Sequence, residues 1–211
     1  MALYIDSADV ADARRALELG FVTGVTTNPN FIARTGRRGR DVLADLLALG
    51  DGPIFYQVTA PTPEGRAAQA REIAALSPAR LVVKIPATTA NIALTARLAG
   101  EGLRCCVTAV SGPAQAYLAS QAGAAYVAPY VNRLTRQMGD GLAVVRTIAA
   151  LLAGTQTRIL AASLKSVSEV VETLLAGAHD ITLPLDLILA LGEHEFSLAA
   201  LEEFDSHGDL F

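Results

Sequence analysis

The chain has 211 residues, 52% of them hydrophobic but only 5% aromatic, and its formal net charge is −4. This length is sufficient for one domain with a large aliphatic core, so we predict a single domain over residues 1–211. No basic cluster is interleaved with aromatic residues, which argues against nucleic-acid binding. No stretch of about 18 apolar residues is present, so we predict no membrane span. The first residues lack the pattern of a signal peptide, and we expect a cytoplasmic protein.

The cysteines and histidines give no sign of a disulfide or a metal site. Cys105 and Cys106 are adjacent in an apolar run, so a strand would point them to opposite faces. We expect two buried free thiols in a reducing compartment. His179, His194 and His207 lack the spacing of metal ligands. We therefore predict surface or helix-capping roles for the histidines, and no bound metal.

Short runs rich in β-forming residues recur along the chain, with helical segments between them. We predict eight strands near residues 2–6, 22–26, 54–58, 80–85, 103–108, 125–130, 157–162 and 180–183. Their starts lie about 25 residues apart, which is the spacing of βα units rather than of hairpins.

The segments between the strands carry helix-capping signals. Thr62 is followed by Pro63 and Glu64, which is typical of a helix N-terminus. Ser166 and Glu169 form a capping-box pattern. Gly20 and Gly123 are predicted to terminate helices.

Eight strands that alternate with helices in 22.0 kDa favour a closed (β/α)8 barrel, a TIM barrel in the α/β class. A doubly wound open sheet is the alternative, but no GxGxxG pattern follows the first strand. Residues 195–206 are predicted to form an extra C-terminal helix, so that residues 195–211 make up a helix and tail.

Lys84 is the first candidate catalytic residue, because it is a lysine near the end of the otherwise apolar predicted strand Leu81–Pro86 (LVVKIP). Burial disfavours a charged lysine, and a neutral amine is a nucleophile that a carbonyl compound traps as a Schiff base. A lysine at a strand end more often extends to solvent. However, Lys84 and Lys165 are the only lysines among 17 basic residues. Arginine cannot form an imine, so this bias favours a chemical role for Lys84.

Polar residues end seven of the eight predicted strands. Each has an ordinary structural explanation when taken alone, such as a helix cap or a satisfied turn. Because barrel active sites lie at the carboxyl ends of the strands, we predict that they jointly form a pocket for a polyhydroxylated carbonyl compound. The residues are Asp6, Thr26 with Asn28, Gln57, Lys84, Thr108, Tyr130 and Ser163.

A second cluster follows the sixth and seventh strands. Arg133 comes after the sixth strand, while Ser163 and Lys165 precede the helix that begins near Ser166. These side chains and free backbone N–H groups can hold a phosphate dianion. An ordinary capped helix with two solvated cations is the alternative.

The charges are unevenly distributed along the chain. All 17 basic residues lie within residues 1–165, whereas residues 166–211 contain 10 of the 21 acidic residues. The one basic run, Arg34 with Arg37–Arg40, is most simply a solvated loop. The acidic tail is suited to contact with a neighbouring subunit.

Several motifs in order resemble the transaldolase family, and most closely its small, fructose-6-phosphate aldolase-like branch. The resemblance runs from Met1 to about Phe204 and implies a (β/α)8 barrel with a Schiff-base lysine on the fourth strand, here Lys84. It also implies no metal and no organic cofactor. The motifs are Val25–Pro29, Val82–Pro86, Val107–Val110, Tyr126–Arg133, Ala161–Lys165 and Ile181–Pro184.

Three positions favour the aldolase-like branch. Transaldolases proper usually carry glutamate, phenylalanine and serine where this chain has Gln57, Tyr130 and Ala128. A glutamine can orient a water but cannot carry its proton, so acid–base duty can pass to the Tyr130 hydroxyl. The chain departs from the pattern at Ser7–Ala8, Asn30–Phe31 and Ser111–Pro113, and its tail is shorter.

The resemblance also implies a role for each site residue with a sugar phosphate. Lys84 would form the imine, Asp6 would hold or deprotonate the C4 hydroxyl, and the other side chains would serve these two steps. Gln57, Thr108 and Tyr130 would hold the water, Thr26 and Asn28 would orient the donor, and Arg133, Ser163 and Lys165 would hold the phosphate.

Three functions remain open at this point. The first is an aldolase that cleaves or forms fructose 6-phosphate; the second is a transaldolase that transfers a dihydroxyacetone unit. The third is a non-catalytic barrel that binds a phosphosugar. The resemblance further implies a homo-oligomer, a pentamer or a decamer, in which the last helix contacts a neighbour.

Overall fold

The centre of the molecule is a barrel of eight parallel strands, in a computed structural model that describes residues 1–208. The strands pair in chain order, and β8 pairs with β1 to close the barrel. The predicted (β/α)8 barrel is therefore confirmed, and the open-sheet alternative is wrong. The strands are β1 (Ala2–Asp6), β2 (Gly24–Thr26), β3 (Ile54–Gln57), β4 (Leu81–Pro86), β5 (Cys105–Val110), β6 (Tyr126–Pro129), β7 (Arg158–Ala161) and β8 (Asp180–Leu183).

Eleven helices surround the barrel in the described part of the chain. Two of them lie between β2 and β3, two between β6 and β7, and two after β8. They are α1 (Val10–Glu18), α2 (Pro29–Arg34), α3 (Gly39–Leu47), α4 (Pro63–Leu76), α5 (Thr89–Gly100), α6 (Pro113–Gln121), α7 (Val131–Met138), α8 (Gly141–Leu151), α9 (Val167–Leu175), α10 (Leu185–Ala190) and α11 (Glu195–Asp205). The predicted C-terminal helix is α11, and residues 209–211 of the predicted tail lie outside the described residues.

The predicted caps are present. The Thr62 hydroxyl accepts the Gly65 N–H at 3.0 Å, and the Ser166 hydroxyl accepts the Glu169 N–H at 3.1 Å. Gly20 lies just after α1 with φ 79°, a left-handed conformation that a residue without a Cβ adopts readily. The two caps thus fix where α4 and α9 begin, and Gly20 lets the chain turn after α1.

The boundaries of β2 and β5 differ from the prediction by two residues, and the others agree within one. β2 begins at Gly24 rather than near residue 22, and a Cβ there would collide with the Pro53 carbonyl oxygen. β5 extends to Val110, because the register of its pairing with β6 shifts between Thr108 and Val110. Ala109 adopts φ 55° at this irregularity, which lets the strand continue past the expected end.

The strands separate two apolar regions. Leu81, Val83 and Ile85 point outward into the aliphatic layer beneath the helices, while Val82 points into the barrel. The barrel interior is filled mainly by aromatic rings: Phe55 packs edge-on against Tyr4 and Tyr126, with centroids 5.2 and 4.9 Å apart. Strand alternation therefore puts Lys84 on the inner face, above this packed floor.

Cys105 and Cys106 are buried and free, and they lie in the outer and inner clusters respectively. Burial raises the pKa of each thiol to about 12. The prediction of two buried free thiols on opposite faces is confirmed.

Two of the three histidines accept backbone N–H groups, and the third, His207, is exposed. His194 is the N-cap of α11, and its Nδ1 accepts the Phe196 N–H at 3.3 Å. His179 Nδ1 accepts the Ile159 N–H at 3.0 Å. Within residues 1–208, no helix is long and apolar enough to cross a membrane.

Candidate active site

The carboxyl ends of the strands surround a polar cavity of about 250 Å³. Its lining comes from the carboxyl ends of β1, β2, β4, β6 and β7 and from the segments that follow them, the end of the barrel at which active sites of such barrels lie. Eleven residues line it: Asp6, Asn28, Asn30, Phe31, Arg34, Lys84, Tyr130, Arg133, Ala162, Ser163 and Lys165.

Lys84 is buried on the inner wall of β4, with 4% of its surface exposed. Its Nζ donates a hydrogen bond to the Thr27 carbonyl oxygen at 2.9 Å. No carboxylate in the described chain forms an ion pair with it. A buried amine with one neutral partner, at the wall of a cavity, is placed to react with a carbonyl carbon.

Asp6 lies in the same cavity at the end of β1. The Thr26 hydroxyl donates to Asp6 Oδ1 at 2.8 Å and is 2.7 Å from the Thr182 hydroxyl. Burial raises the pKa of the Asp6 carboxyl, while Lys84, the Thr26 hydrogen bond and Lys165 oppose the rise. A carboxylate with a raised pKa beside a buried amine is suited to proton transfer.

Thr26 thus orients Asp6 rather than facing the cavity, because it is fully buried. Thr182 on β8 completes this hydroxyl chain and was missed by the sequence analysis. The signal for it was the alternation Asp180, Thr182 in an otherwise apolar strand, which puts both on the inner face.

Tyr130 and Thr108 form a second hydroxyl pair, with their oxygens 3.1 Å apart. Tyr130 lines the cavity, whereas Thr108 is buried behind it. The Arg133 guanidinium carbon lies 4.7 Å from the centroid of the Tyr130 ring. The Tyr130 hydroxyl therefore has one hydroxyl neighbour, and the Arg133 guanidinium lies over one face of the Tyr130 ring.

Asn28 is already committed at one end of its side chain. Its Oδ1 accepts the N–H groups of Asn30 and Phe31, at 3.0 and 3.2 Å, and so caps α2. The amide NH₂ group is left for the cavity, which means that Asn28 can only donate to a ligand.

Gln57 pairs in register with Lys84 across β3 and β4 but lines a neighbouring cavity of about 390 Å³. Asn28 borders both cavities, so the two adjoin. The structure thus brings Gln57 next to the other predicted residues without putting it on the same wall.

Arg133, Ser163 and Lys165 converge at one side of the cavity, as expected. Ser163 adopts φ 62°, a strained conformation for a residue with a side chain. The Lys165 N–H donates to Glu169 Oε2 at 2.7 Å. The α9 N-terminus therefore offers fewer free N–H groups to an anion than the sequence suggested, and a carboxylate lies close by.

Three lining residues on α2, Asn30, Phe31 and Arg34, were missed. The prediction that Arg34 and Arg37–Arg40 form a solvated loop is confirmed in that all four arginines are exposed, but it is wrong for Arg34 and Arg40, which lie in helices. Arg34 ends α2 at the cavity, and α3 begins at Gly39, so only residues 35–38 connect the two helices. The available signal was Asn28 as a helix N-cap, which puts residues 31 and 34 on one helix face.

Comparison with known proteins agrees with this geometry. The family model for transaldolase/fructose-6-phosphate aldolase matches residues 3–208. The chain is 39% identical to a probable transaldolase of Geotalea uraniireducens (strain Rf4) over 206 residues, 97% of this chain and 96% of the relative. It is 39% identical to one of Heliobacterium modesticaldum (strain ATCC 51547 / Ice1), covering 97% of this chain and 95% of the relative. A probable transaldolase of Caulobacter sp. (strain K31) is also 39% identical, with 97% and 94% covered.

Proposed function

The chain belongs to the transaldolase/fructose-6-phosphate aldolase family, and from that premise we propose that it is a Schiff-base aldolase acting on fructose 6-phosphate. It would cleave the sugar to dihydroxyacetone and glyceraldehyde 3-phosphate, or join the two. The observation that carries this proposal is the buried Lys84 amine in one cavity with the Asp6 carboxyl and unpaired cations. That arrangement supplies a nucleophile, a proton acceptor and cations for an anion in one cavity.

The reaction begins with addition of Lys84 Nζ to the C2 ketone. Loss of water gives a protonated imine, and the oxygen leaves with protons delivered on the Thr108–Tyr130 side. Gln57, from the adjoining wall, can orient that water through its amide. The imine then supplies the electron sink, so this chemistry requires no metal or organic cofactor.

Carbon–carbon cleavage follows from the position of Asp6. Its carboxylate takes the proton of the C4 hydroxyl, the C3–C4 bond breaks, and the electron pair moves into the imine to give an enamine. Glyceraldehyde 3-phosphate leaves. Thr26 holds the Asp6 carboxyl in place at 2.8 Å, and the Asn28 amide donates to a donor hydroxyl.

Release of dihydroxyacetone needs a proton on the enamine carbon. Tyr130, acting through a water, is the proton donor, and hydrolysis of the imine then frees Lys84. Arg133, Ser163 and Lys165 bind the phosphate, which fixes the reacting carbons relative to Lys84 and Asp6.

A transaldolase is the second candidate, because the relatives are named probable transaldolase. Such an enzyme would pass the dihydroxyacetone unit to erythrose 4-phosphate instead of releasing it. Gln57, Ala128 and Tyr130 support release, since a glutamine cannot carry the proton that a glutamate would.

An assay of fructose 6-phosphate alone, and then with erythrose 4-phosphate, separates the two. Free dihydroxyacetone without acceptor supports the aldolase; turnover only with acceptor supports the transaldolase.

Borohydride trapping tests the imine directly. The wild-type protein treated with dihydroxyacetone and borohydride should carry one reduced adduct, and peptide mass spectrometry should find it on Lys84. Binding of fructose 6-phosphate without any reducible adduct would instead support a non-catalytic phosphosugar-binding barrel. An adduct on Lys165 or on the N-terminus would contradict the assignment of Lys84.

We also propose that the protein is a homo-oligomer, a pentamer or a pair of pentamers. Helix α11 has no buried residue, and its large apolar side chains are exposed: Phe196, Leu198, Leu201 and Phe204. Exposed apolar helices of this kind usually cover a partner. Sedimentation of the intact chain should give five or ten times the monomer mass, and Phe204→Asp should lower it. A monomer would contradict the proposal.

A further inference from the structure

One wall of the cavity carries a charge to which the proposed mechanism gives no role. Helix α2 begins directly after Asn28, and Asn30, Phe31 and Arg34 all line the cavity that contains Lys84. Phe31 and Arg34 are three residues apart and so are neighbours on one face of the helix. Arg34 therefore lines the same solvent-accessible cavity as Arg133 and Lys165, and like them it is exposed.

The Arg34 guanidinium is positioned by its contact with the Phe31 ring, which leaves its N–H donors free. Its central carbon lies 5.7 Å from the centroid of the Phe31 ring, and Phe31 packs against the aliphatic core. A cation over an aromatic face is attracted by the ring and keeps its N–H groups free. The contact thus positions a fork of donors at the cavity rather than consuming it.

The nearby arginines are treated differently. Arg37 pairs with Asp45 at 2.7 Å, Arg38 with Asp41 at 2.9 Å, and Arg40 with Glu72 at 3.4 Å. None of these three lines the cavity. Arg34 has no ion pair within residues 1–208. The segment therefore neutralises its outer cations and leaves the cavity cation available.

Acidic residues lie on the far side of Arg34. Phe31 and Arg34 also border an adjoining cavity of about 290 Å³, which Asp9 and Asp12 line; Asp6 lines both cavities. Asp9 is occupied in capping α1, where its Oδ1 accepts the N–H groups of Ala11 and Asp12 at 2.8 and 3.1 Å. An anion bound in the Lys84 cavity would compete with these carboxylates for the Arg34 guanidinium, which none of them pairs with.

We propose that Arg34 is a specificity-determining residue that binds the phosphate of the substrate together with Arg133 and Lys165. This inference rests on the proposed function, and it names what the site selects: a phosphorylated acceptor aldehyde over an unphosphorylated one. A phosphate presents three terminal oxygens, and an arginine fork binds two of them. Since Glu169 weakens the α9 side of the anion site, a cation from α2 supplies the missing charge.

The test compares two acceptors in the synthesis direction with dihydroxyacetone as donor. Arg34→Ala should raise KM for glyceraldehyde 3-phosphate about tenfold, the usual effect of losing a charged hydrogen bond. KM for unphosphorylated glyceraldehyde and kcat for both acceptors should change less than about twofold, since the reacting groups are untouched. Arg34→Lys should restore part of the loss, because it returns the charge but not the fork.

Arg38→Ala is the matched control, because Arg38 lies four residues further along, is exposed and pairs with Asp41. It should leave both KM values unchanged. Equal effects of Arg34→Ala on the two acceptors, or an equal loss in Arg38→Ala, would overturn the inference.

Failure of the proposed function is recognised separately, by the absence of turnover and of a reducible adduct in the wild-type protein. In that event calorimetry with glyceraldehyde 3-phosphate still decides the role of Arg34. Binding about tenfold weaker in Arg34→Ala than in the wild type supports it, and equal binding overturns it.

Discussion

Each end of the barrel holds an acidic side chain, the buried Asp180 at the start of β8 and the half-buried Asp6 at the end of β1, and their partners differ. Arg158 donates twice to Asp180, at 2.7 and 2.6 Å, and the Ala2 N–H donates to it at 2.7 Å. Asp6 accepts one hydrogen bond, from the Thr26 hydroxyl. At the amino end, the Asp180 carboxylate is satisfied by partners within the protein. At the carboxyl end, the Asp6 carboxylate keeps hydrogen-bonding capacity for a ligand.

The cations show the same contrast. Arg158 is bound to Asp180 at the amino end, while Lys84 at the carboxyl end donates to a neutral carbonyl. Arg133 and Lys165 have no ion pair among the described residues. Both are exposed at the cavity, whereas Lys84 is buried. A buried charge without an ion pair lowers the free energy of unfolding, so the position of Lys84 marks the carboxyl end as the candidate functional end.

Loss of the Lys84 amine should have the largest effect. We expect Lys84→Met to lower turnover of fructose 6-phosphate on the order of 10⁴-fold or more, since the covalent intermediate cannot form. The free energy of unfolding should hold or rise, because the buried amine makes one neutral hydrogen bond. Steady-state kinetics and urea unfolding measure the two quantities. Lys165→Met is the control, and it should still form the borohydride-reduced adduct with dihydroxyacetone. Loss of the adduct in Lys165→Met would contradict the assignment of Lys84 as the imine-forming lysine.

Asp6→Asn should lower turnover about 10³-fold, the range for removal of a general base. The expected effect on stability has the opposite sign. Because burial raises the pKa of Asp6 in the folded protein, the folded state keeps a proton that the unfolded chain releases. Stability of the wild type therefore falls as pH rises through the ordinary carboxyl pKa toward the raised one.

The Asn variant lacks this ionisation, so its stability should not show that fall and should exceed that of the wild type at neutral pH. Urea unfolding at a series of pH values measures the difference. A variant less stable than the wild type at neutral pH would show that Asp6 stabilises the fold. Active wild-type protein should also lose turnover on the acid side at a higher pH than an ordinary carboxylate would.

Asp180→Asn tests the other end of the barrel. It removes a fully buried carboxylate from two guanidinium bonds and from the Ala2 N–H. We expect a loss of about 3 kcal/mol in the free energy of unfolding, somewhat less than for a fully buried pair because the Arg158 side chain is 42% exposed. KM and kcat of the folded protein should be unchanged. A selective loss of kcat without loss of stability would contradict the division between the two ends.

The sequence was informative about the barrel because the evidence for it is local. Apolar runs such as Leu81–Pro86 and caps such as Thr62 recur at βα spacing, and each needs only nearby residues to be recognised. The rim residues Asp6, Lys84 and Tyr130 followed from one rule, that barrel sites lie at strand ends. The structure brings them to one cavity.

The sequence could not supply the relations that depend on distance in space. That Arg34 lies at the cavity while Arg38 faces solvent depends on where α2 ends and α3 begins. That Thr26 serves Asp6, and that Glu169 takes the Lys165 N–H, depends on side-chain directions. Hydrogen bonds between elements therefore decided which polar residues remain free for a substrate.

Glu169→Gln should have the smallest effect and refine the comparison within the functional end. Glu169 Oε2 accepts the Lys165 N–H at 2.7 Å, and a glutamine oxygen can replace it, so the α9 cap should survive. The negative charge beside the phosphate site would be lost, and KM for glyceraldehyde 3-phosphate should fall about two- to threefold. KM for unphosphorylated glyceraldehyde should not change. Arg34 is proposed to offset this charge. The KM increase caused by Arg34→Ala should therefore be smaller in the Glu169→Gln background than in the wild type. If the two substitutions instead change KM independently, the two side chains do not act on the same phosphate.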